Sequence, residues 1–146
     1  MLRYVGTYGR YNGVTSIHME HIMRKIESDI LAKLACPRKA EYNLSCRDRV
    51  VVRLDGSKSY YLWDTELFHM DSIGRCSFYF SSIAADTSTC MSATTSSRIN
   101  VLMRQYTGTT LMRSKGKLYY DGEQIMTDSW YLWGYFDGKW TLREAA

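Results

Sequence analysis

The chain has 146 residues, of which 45% are hydrophobic and 23% are charged, and its net charge is +4. This length is typical of one domain, and the single proline and many aromatic residues exclude a long disordered chain. The mildly basic charge permits a polyanion as partner but lacks the dense positive field of a dedicated nucleic-acid-binding protein.

The cysteines and the N-terminal residues predict a reducing compartment. The four cysteines, Cys36, Cys46, Cys76 and Cys90, form neither a CxxC motif nor the spacing of a zinc knuckle. Residues 1–13 lack the apolar run of a signal peptide, and no apolar stretch approaches the length of a membrane span. We therefore expect free and mostly buried thiols, no membrane segment and a cytoplasmic location.

The first predicted element is a helix over residues 16–35. Its apolar residues recur at helical spacing, which predicts a single stripe packed on a sheet. Thr15 or Ser16 supplies an N-cap, and Pro37 ends the helix. The stripe consists of Met19, Ile22, Met23, Ile26, Ile30 and Leu34.

Three Asp-Gly pairs, at positions 55–56, 121–122 and 137–138, each stand between segments rich in strand-forming residues. Asp-Gly is typical of the two-residue type I′ turn, which requires positive φ at both central residues. The sequence therefore predicts three antiparallel hairpins. They join Arg49–Leu54 to Ser59–Trp63, Lys117–Tyr120 to Glu123–Met126, and Trp130–Phe136 to Lys139–Leu142.

Two further elements complete the predicted order. Cys76–Ala85 has the composition of a strand, and Ser96–Tyr106 that of a helix, with Thr94 and Thr95 as caps and Gly108 as terminator. Neither βαβ units nor repeats occur. The fold class is therefore α+β, a single domain over residues 1–146 with an antiparallel, meander-rich sheet and two helices.

No catalytic motif is present, and we expect no cofactor and no metal. The spacing of His18 and His21 differs from the HExxH pattern, which indicates surface histidines, and GxSxG, P-loop and GxGxxG sequences are absent. Asp64 and Glu66 are predicted to lie on one face of a strand. They permit either a Mg²⁺-dependent nuclease site or, more commonly, a solvated strand edge.

The second helix begins with hydroxyl groups, free N–H groups and an arginine. Thr94, Thr95, Arg98 and Asn100 suit an anion or phosphate site, although a well-capped helix with a structural Arg98 explains the same residues. The basic residues that follow extend this candidate surface for nucleic acid. They are Arg104, Arg113, Lys115 and Lys117.

An aromatic cluster occupies the last hairpin: Trp130, Tyr131, Trp133, Tyr135, Phe136 and Trp140. Strand alternation places Tyr131, Trp133 and Tyr135 on one face and Trp130 with Phe136 on the other. The strand is therefore either covered on both faces or exposes one face to a protein partner. Tyr131, Trp133 and Tyr135 are the candidate protein-binding residues.

The segment Thr94-Thr95-Ser96-Ser97-Arg98-Ile99-Asn100, with Ile83-Ala84 before it and Lys115-Gly116-Lys117-Leu118-Tyr119 after it, resembles small bacteriophage accessory proteins. The shared motif is a Thr-Thr-x-x-Arg-apolar-Asn helix start, and the resemblance covers about residues 80–119. It implies a phage or mobile-element accessory protein in the host cytoplasm, and it carries no residue roles.

These observations lead to three functional hypotheses. The first is a non-catalytic binder of a host protein, which inhibits a host defence or regulatory system. The second is a nucleic-acid-binding protein that uses the basic surface within residues 98–117. The third is a metal-dependent nuclease that uses Asp64 and Glu66, which the missing ligand cluster disfavours.

Overall fold

A computed structural model describes residues 23–82 and 92–145. These residues contain two helices and ten strands, and the strands form two antiparallel sheets. The predicted α+β class is thereby confirmed. The elements, in chain order, are α1 Lys25–Ala35, β1 Glu41–Asn43, β2 Asp48–Val52, β3 Lys58–Leu62, β4 Thr65–Met70, β5 Cys76–Tyr79, α2 Ala93–Thr107, β6 Met112–Ser114, β7 Lys117–Tyr120, β8 Glu123–Ile125, β9 Trp130–Phe136 and β10 Lys139–Glu144.

Helix α1 begins later than the periodicity predicts. Arg24 has extended backbone angles and precedes the helix, while residues 16–22 lie outside the described residues. The Glu27 carboxylate accepts the N–H of Arg24 at 3.2 Å, which satisfies one of the free donors at the helix start. Ile30 and Leu34 of the predicted stripe are buried in the core.

The large sheet has seven strands in the order β1-β2-β3-β4-β5-β9-β10, so β9 pairs with β5 across a long connection. Both helices pack on one face of this sheet. Tyr106 of α2 stacks on Phe68 of β4, with ring centroids 5.0 Å apart, and α1 contacts β2 and β3. A β-bulge in β4 turns both Leu67 and Phe68 into the core beneath the helices.

The turns match the prediction at two of the three Asp-Gly pairs. Asp121-Gly122 and Asp137-Gly138 have positive φ at both residues, as type I′ turns require. Asp55-Gly56 instead belongs to a three-residue loop, because Arg53 pairs with Ser57 and only Gly56 has positive φ. Lys115-Gly116 also has positive φ at both residues and forms a two-residue turn that joins β6 to β7.

Helix α2 begins at Ala93, three residues before its predicted start. Its N-cap is Ser92, whose Oγ accepts the N–H of Thr95 at 3.1 Å, so Thr94 and Thr95 lie inside the first turn. Gly108 ends the helix in a left-handed conformation, as predicted. The predicted strand after Cys76 ends at Tyr79, and residues 83–91 lie outside the described part of the chain.

The small sheet has three strands in the order β6-β7-β8, and its Tyr120 meets Trp133 of β9 edge-on, with ring centroids 6.3 Å apart. Leu118 and Ile125 join the core cluster, and the hydroxyl of Tyr131 accepts the N–H of Met126 at 2.9 Å. Neither described helix has the length and apolar character needed to cross a bilayer. Cys36, Cys46 and Cys76 are free thiols; the first two are exposed, contrary to expectation.

Candidate functional site

Arg98 lies in the interior and joins three elements of the fold. Its side chain is only 1% exposed, and its Nε lies 2.8 Å from Oδ1 of Asp48 in β2. Its Nη1 lies 3.0 Å from Oε2 of Glu27 in α1, whose side chain is equally buried. A single guanidinium therefore faces two buried carboxylates, and it ties α1, β2 and α2 together.

Hydroxyl groups complete this buried network. Asp48 accepts hydrogen bonds from Tyr60 and Ser45, and Glu27 accepts one from Ser97. Burial alone would raise the pKa of Asp48, but the hydrogen bonds from Arg98, Tyr60 and Ser45 outweigh burial and lower it. Burial and the hydrogen bond to Asp48 raise the pKa of Tyr60 far above its usual range. Both groups therefore keep their ordinary charge states at neutral pH.

The structure thus gives Arg98 the structural role that the sequence left open, because its donors are directed at internal carboxylates. Thr95 is buried beneath the Ser92 cap, and Thr94 lies half-buried beside it. Asn100 is half-buried, and its Oδ1 has no hydrogen-bond partner among the described residues. The start of α2 therefore presents no free arginine to an external anion.

The remaining basic residues separate into two places. Arg113, Lys115 and Lys117 are exposed together on the β6–β7 hairpin, whereas Arg104 lies on α2. Within the described chain, none of the three hairpin cations forms an ion pair with an acidic side chain. This basic hairpin is therefore a positively charged element that is separate from Arg98, with Arg113 and Lys117 on opposite faces and Lys115 in the turn.

The three predicted protein-binding residues differ steadily in exposure along β9. Tyr131 is 5% exposed beneath the small sheet, Trp133 is half-buried, and Tyr135 is 63% exposed. One end of β9 is covered and the other is open. The small sheet covers the strand at Tyr131, and the β9–β10 hairpin extends past that sheet, so Tyr135 is exposed. Tyr131 is a core residue, and only the far end of the strand faces solvent.

Trp140 joins Trp133 and Tyr135 to form a surface that we call the aromatic edge patch. Trp140 is 59% exposed, stacks on Trp133 at 6.0 Å between ring centroids, and meets Tyr135 edge-on at 5.9 Å. The sequence places Trp140 in the aromatic cluster, but alternation along β9 alone left it out of the predicted site. Its signal was the two-residue turn at Asp137-Gly138, which fixes a register that pairs Trp140 with Tyr135.

The carboxylates considered for a nuclease do not share one strand face as predicted. Asp64 lies in the turn before β4, and Glu66 accepts a hydrogen bond from Ser59 in β3. His69 Nδ1 lies 3.2 Å from Oγ of Ser59 and 3.4 Å from the Glu66 carboxylate. Serine and carboxylate meet at the same ring nitrogen, whereas a catalytic triad needs them at opposite nitrogens. In residues 23–82 and 92–145, no three potential ligands are grouped to hold a metal ion.

The comparisons with known proteins return no relatives. No family model, no curated protein and no solved structure matches the chain. The aromatic edge patch and the basic hairpin are therefore the two surfaces from which a function is inferred.

Proposed function

We propose that this protein is a non-catalytic protein-binding module that contacts its partner through the aromatic edge patch. The observation that carries the proposal is the joint exposure of Tyr135 and Trp140, at 63% and 59%, side by side at one edge of the large sheet. Tyrosine and tryptophan are the residues most enriched at the energetic centres of protein interfaces.

Exposure of these rings has a cost that a partner would remove. Burying one large apolar side chain is worth about 1.5–3 kcal/mol. The neighbouring Trp133 holds Trp140 in place by stacking, which lowers the entropy lost when a partner contacts the patch. A rigid cluster of amphipathic rings is thus well suited to a protein surface.

The resemblance to phage accessory proteins directs the search for a partner to the host cell. On this proposal the protein binds a host protein and thereby inhibits a defence or regulatory system. Binding through a surface patch requires no chemistry from the chain itself.

The test is capture of partners from bacterial lysate on the immobilised chain, with nuclease added and the captured proteins identified by mass spectrometry. Tyr135→Ala and Trp140→Ala are each expected to weaken binding of a captured partner by about 2 kcal/mol, which raises the Kd about thirtyfold. Trp63→Asn is the matched control, because Trp63 is equally exposed but lies at the turn between β3 and β4. A partner that binds both patch variants as tightly as the original chain would refute the proposal.

Nucleic-acid binding is a second candidate, supported by the three exposed cations of the basic hairpin. Phosphate contacts from Arg113, Lys115 and Lys117 would make the affinity for DNA or RNA fall steeply with salt. Replacing all three by glutamine should then reduce the salt slope by about one for each cation that had bound a phosphate. An affinity that does not change with salt would remove this candidate.

A further inference from the structure

The outer edge of β10 is unpaired in the described part of the chain. β10 pairs with β9 on one side only and is the last strand of the large sheet. The Asp137-Gly138 turn makes Phe136 and Lys139 a hydrogen-bonded pair, and Ala145 donates its N–H to Trp130 at 2.8 Å in the same register. Alternation therefore turns the N–H and C=O groups of Trp140, Leu142 and Glu144 away from β9.

A crevice of about 370 Å³ runs beside this edge. Its opposite wall is β8, which is itself an edge strand of the small sheet. Glu123 pairs with Tyr120 across a two-residue turn, so the backbone groups of Gln124 point away from β7. The crevice thus separates two strand edges whose outward backbone groups at Gln124, Trp140 and Leu142 have no hydrogen-bond partner among the described residues. Its volume lies in the range of ligand sites.

The lining of the crevice combines apolar and acidic side chains. Ile125 and Leu142 supply apolar contacts, and the charged residues form two ion pairs, Lys139 with Asp121 at 3.0 Å and Arg143 with Asp137 at 2.8 Å. The acidic side chains that remain without an ion-pair partner among the described residues are Glu123 and Glu144. The crevice is therefore complementary to a strand that carries basic side chains.

We infer that an extended, basic peptide segment of the partner adds to β10 as a further strand and occupies the crevice. Backbone hydrogen bonds to Trp140, Leu142 and Glu144 supply the affinity, while Glu123 and Glu144 select lysine or arginine. The inference rests on the proposed function, since the same hairpin carries the aromatic edge patch. It deepens that function by giving the partner's conformation and charge.

The first test uses a synthetic peptide in which valine alternates with lysine, titrated into the full chain while amide exchange is followed by NMR. Exchange at Leu142 and Glu144 should slow by about tenfold or more at saturation, because their N–H groups become hydrogen-bonded. The amides of Thr141 and Arg143 serve as internal controls, since they already bond to β9. No slowing at Leu142 and Glu144 would overturn the inference.

Two control peptides separate the backbone and charge contributions. Replacing lysine by glutamate should weaken binding by about tenfold or more, and N-methylation on the pairing edge of the peptide should abolish it. The net charge of +4 disfavours nonspecific attraction of the lysine peptide. Equal binding of the N-methylated peptide would overturn the inference.

The matched variants are Leu142→Pro and Leu142→Ala. Proline removes an N–H that β9 does not use, so the hairpin should fold, whereas alanine keeps that N–H. Leu142→Pro should lose peptide binding by about tenfold or more relative to Leu142→Ala. Equal affinity of the two variants would overturn the inference. If circular dichroism shows that Leu142→Pro does not fold, the affinity of the N-methylated peptide for the original chain tests strand addition instead.

Two outcomes separate this inference from its premise. If a captured partner loses affinity for the Tyr135→Ala and Trp140→Ala variants but binds Leu142→Pro normally, the proposed function stands and strand addition is overturned. A partner that tolerates loss of both rings overturns the proposed function itself. If the Leu142 amide exchanges slowly in the protein alone and sedimentation shows a dimer, a second copy of the chain occupies the β10 edge. That result would overturn the inference of a partner's peptide.

Discussion

Arg98 Nε lies 2.8 Å from Oδ1 of Asp48, and 50 positions of sequence separate the two residues. Their contact brings the second helix against the second strand, and Glu27 adds the first helix to the same point. A buried guanidinium between two buried carboxylates must keep all its partners, because any one charge left alone in the interior is costly.

Replacing Arg98 by methionine should therefore destabilise the protein strongly. We expect a loss of about 3–5 kcal/mol in the free energy of unfolding, since Glu27 would stay buried without a counter-charge and Asp48 would keep only Arg47, whose Nε lies 3.8 Å from its Oδ2. Urea denaturation followed by tryptophan fluorescence measures this loss. Arg104→Met is the matched control on the exposed side of the same helix and should change stability by less than about 0.5 kcal/mol. A similar, small loss for both variants would contradict the structural role of Arg98.

Asp48 should make the protein sensitive to acid. Its pKa is lower in the folded chain than the ordinary 3.8, so its contribution is present above that value and is lost as the pH falls through the folded pKa. Asp48→Asn should flatten the acid side of the stability curve while lowering stability at neutral pH. Parallel acid curves for the Asp48→Asn variant and the original chain would contradict this prediction.

The thiols should react in the order of their exposure. Burial raises the pKa of the Cys76 thiol to about 11, whereas Cys36 and Cys46 are exposed. A variant that keeps Cys76 and has serine at its other three cysteines should be labelled slowly by a thiol reagent at pH 8, until urea unfolds it. The raised pKa also means that the stability from Cys76 is present below pH 9.0 and lost as the pH rises toward 11. Rapid labelling of folded protein would show that Cys76 is accessible.

Loss of one hydroxyl should distinguish the buried and exposed ends of β9. Tyr131→Phe removes the acceptor of the Met126 N–H and should cost about 1 kcal/mol in the free energy of unfolding. Tyr135→Phe is the matched control, because no described residue hydrogen-bonds its hydroxyl, and should cost nearly nothing. Thermal melts of both variants measure the difference. Equal melting temperatures would show that the Tyr131 contact contributes little.

Local chemistry explains which parts of the fold could be predicted from the sequence. Asp-Gly at 121–122 and 137–138 forms type I′ turns because those two residues tolerate the required angles, and the hairpins follow. Asp55-Gly56 is the same dipeptide, but it lies in a longer loop because Arg53 pairs with Ser57. Turn length depends on strand register, which the dipeptide alone does not determine.

The site was less predictable because it depends on contacts between distant residues. Nothing near Arg98 in sequence indicates that Asp48 and Glu27 neutralise it, so its hydroxyl-rich surroundings left an anion site open beside the structural role. Alternation correctly put Tyr131, Trp133 and Tyr135 on one face. It could not show that the small sheet buries Tyr131, reaches Trp133 through Tyr120 and leaves Tyr135 exposed, since that depends on tertiary packing.

The order of strands in the large sheet has a consequence for synthesis of the chain. β5 ends at Tyr79, but its neighbour β9 begins only at Trp130, after α2 and the whole small sheet. While the ribosome makes the intervening residues, strands β1 to β5 leave one edge of β5 without a neighbouring strand among the described residues. An unpaired strand edge in an incomplete chain promotes association with other chains. Messages that stall before the codon for Trp130 should therefore yield fragments that depend on chaperones, because only β9 covers the edge of β5.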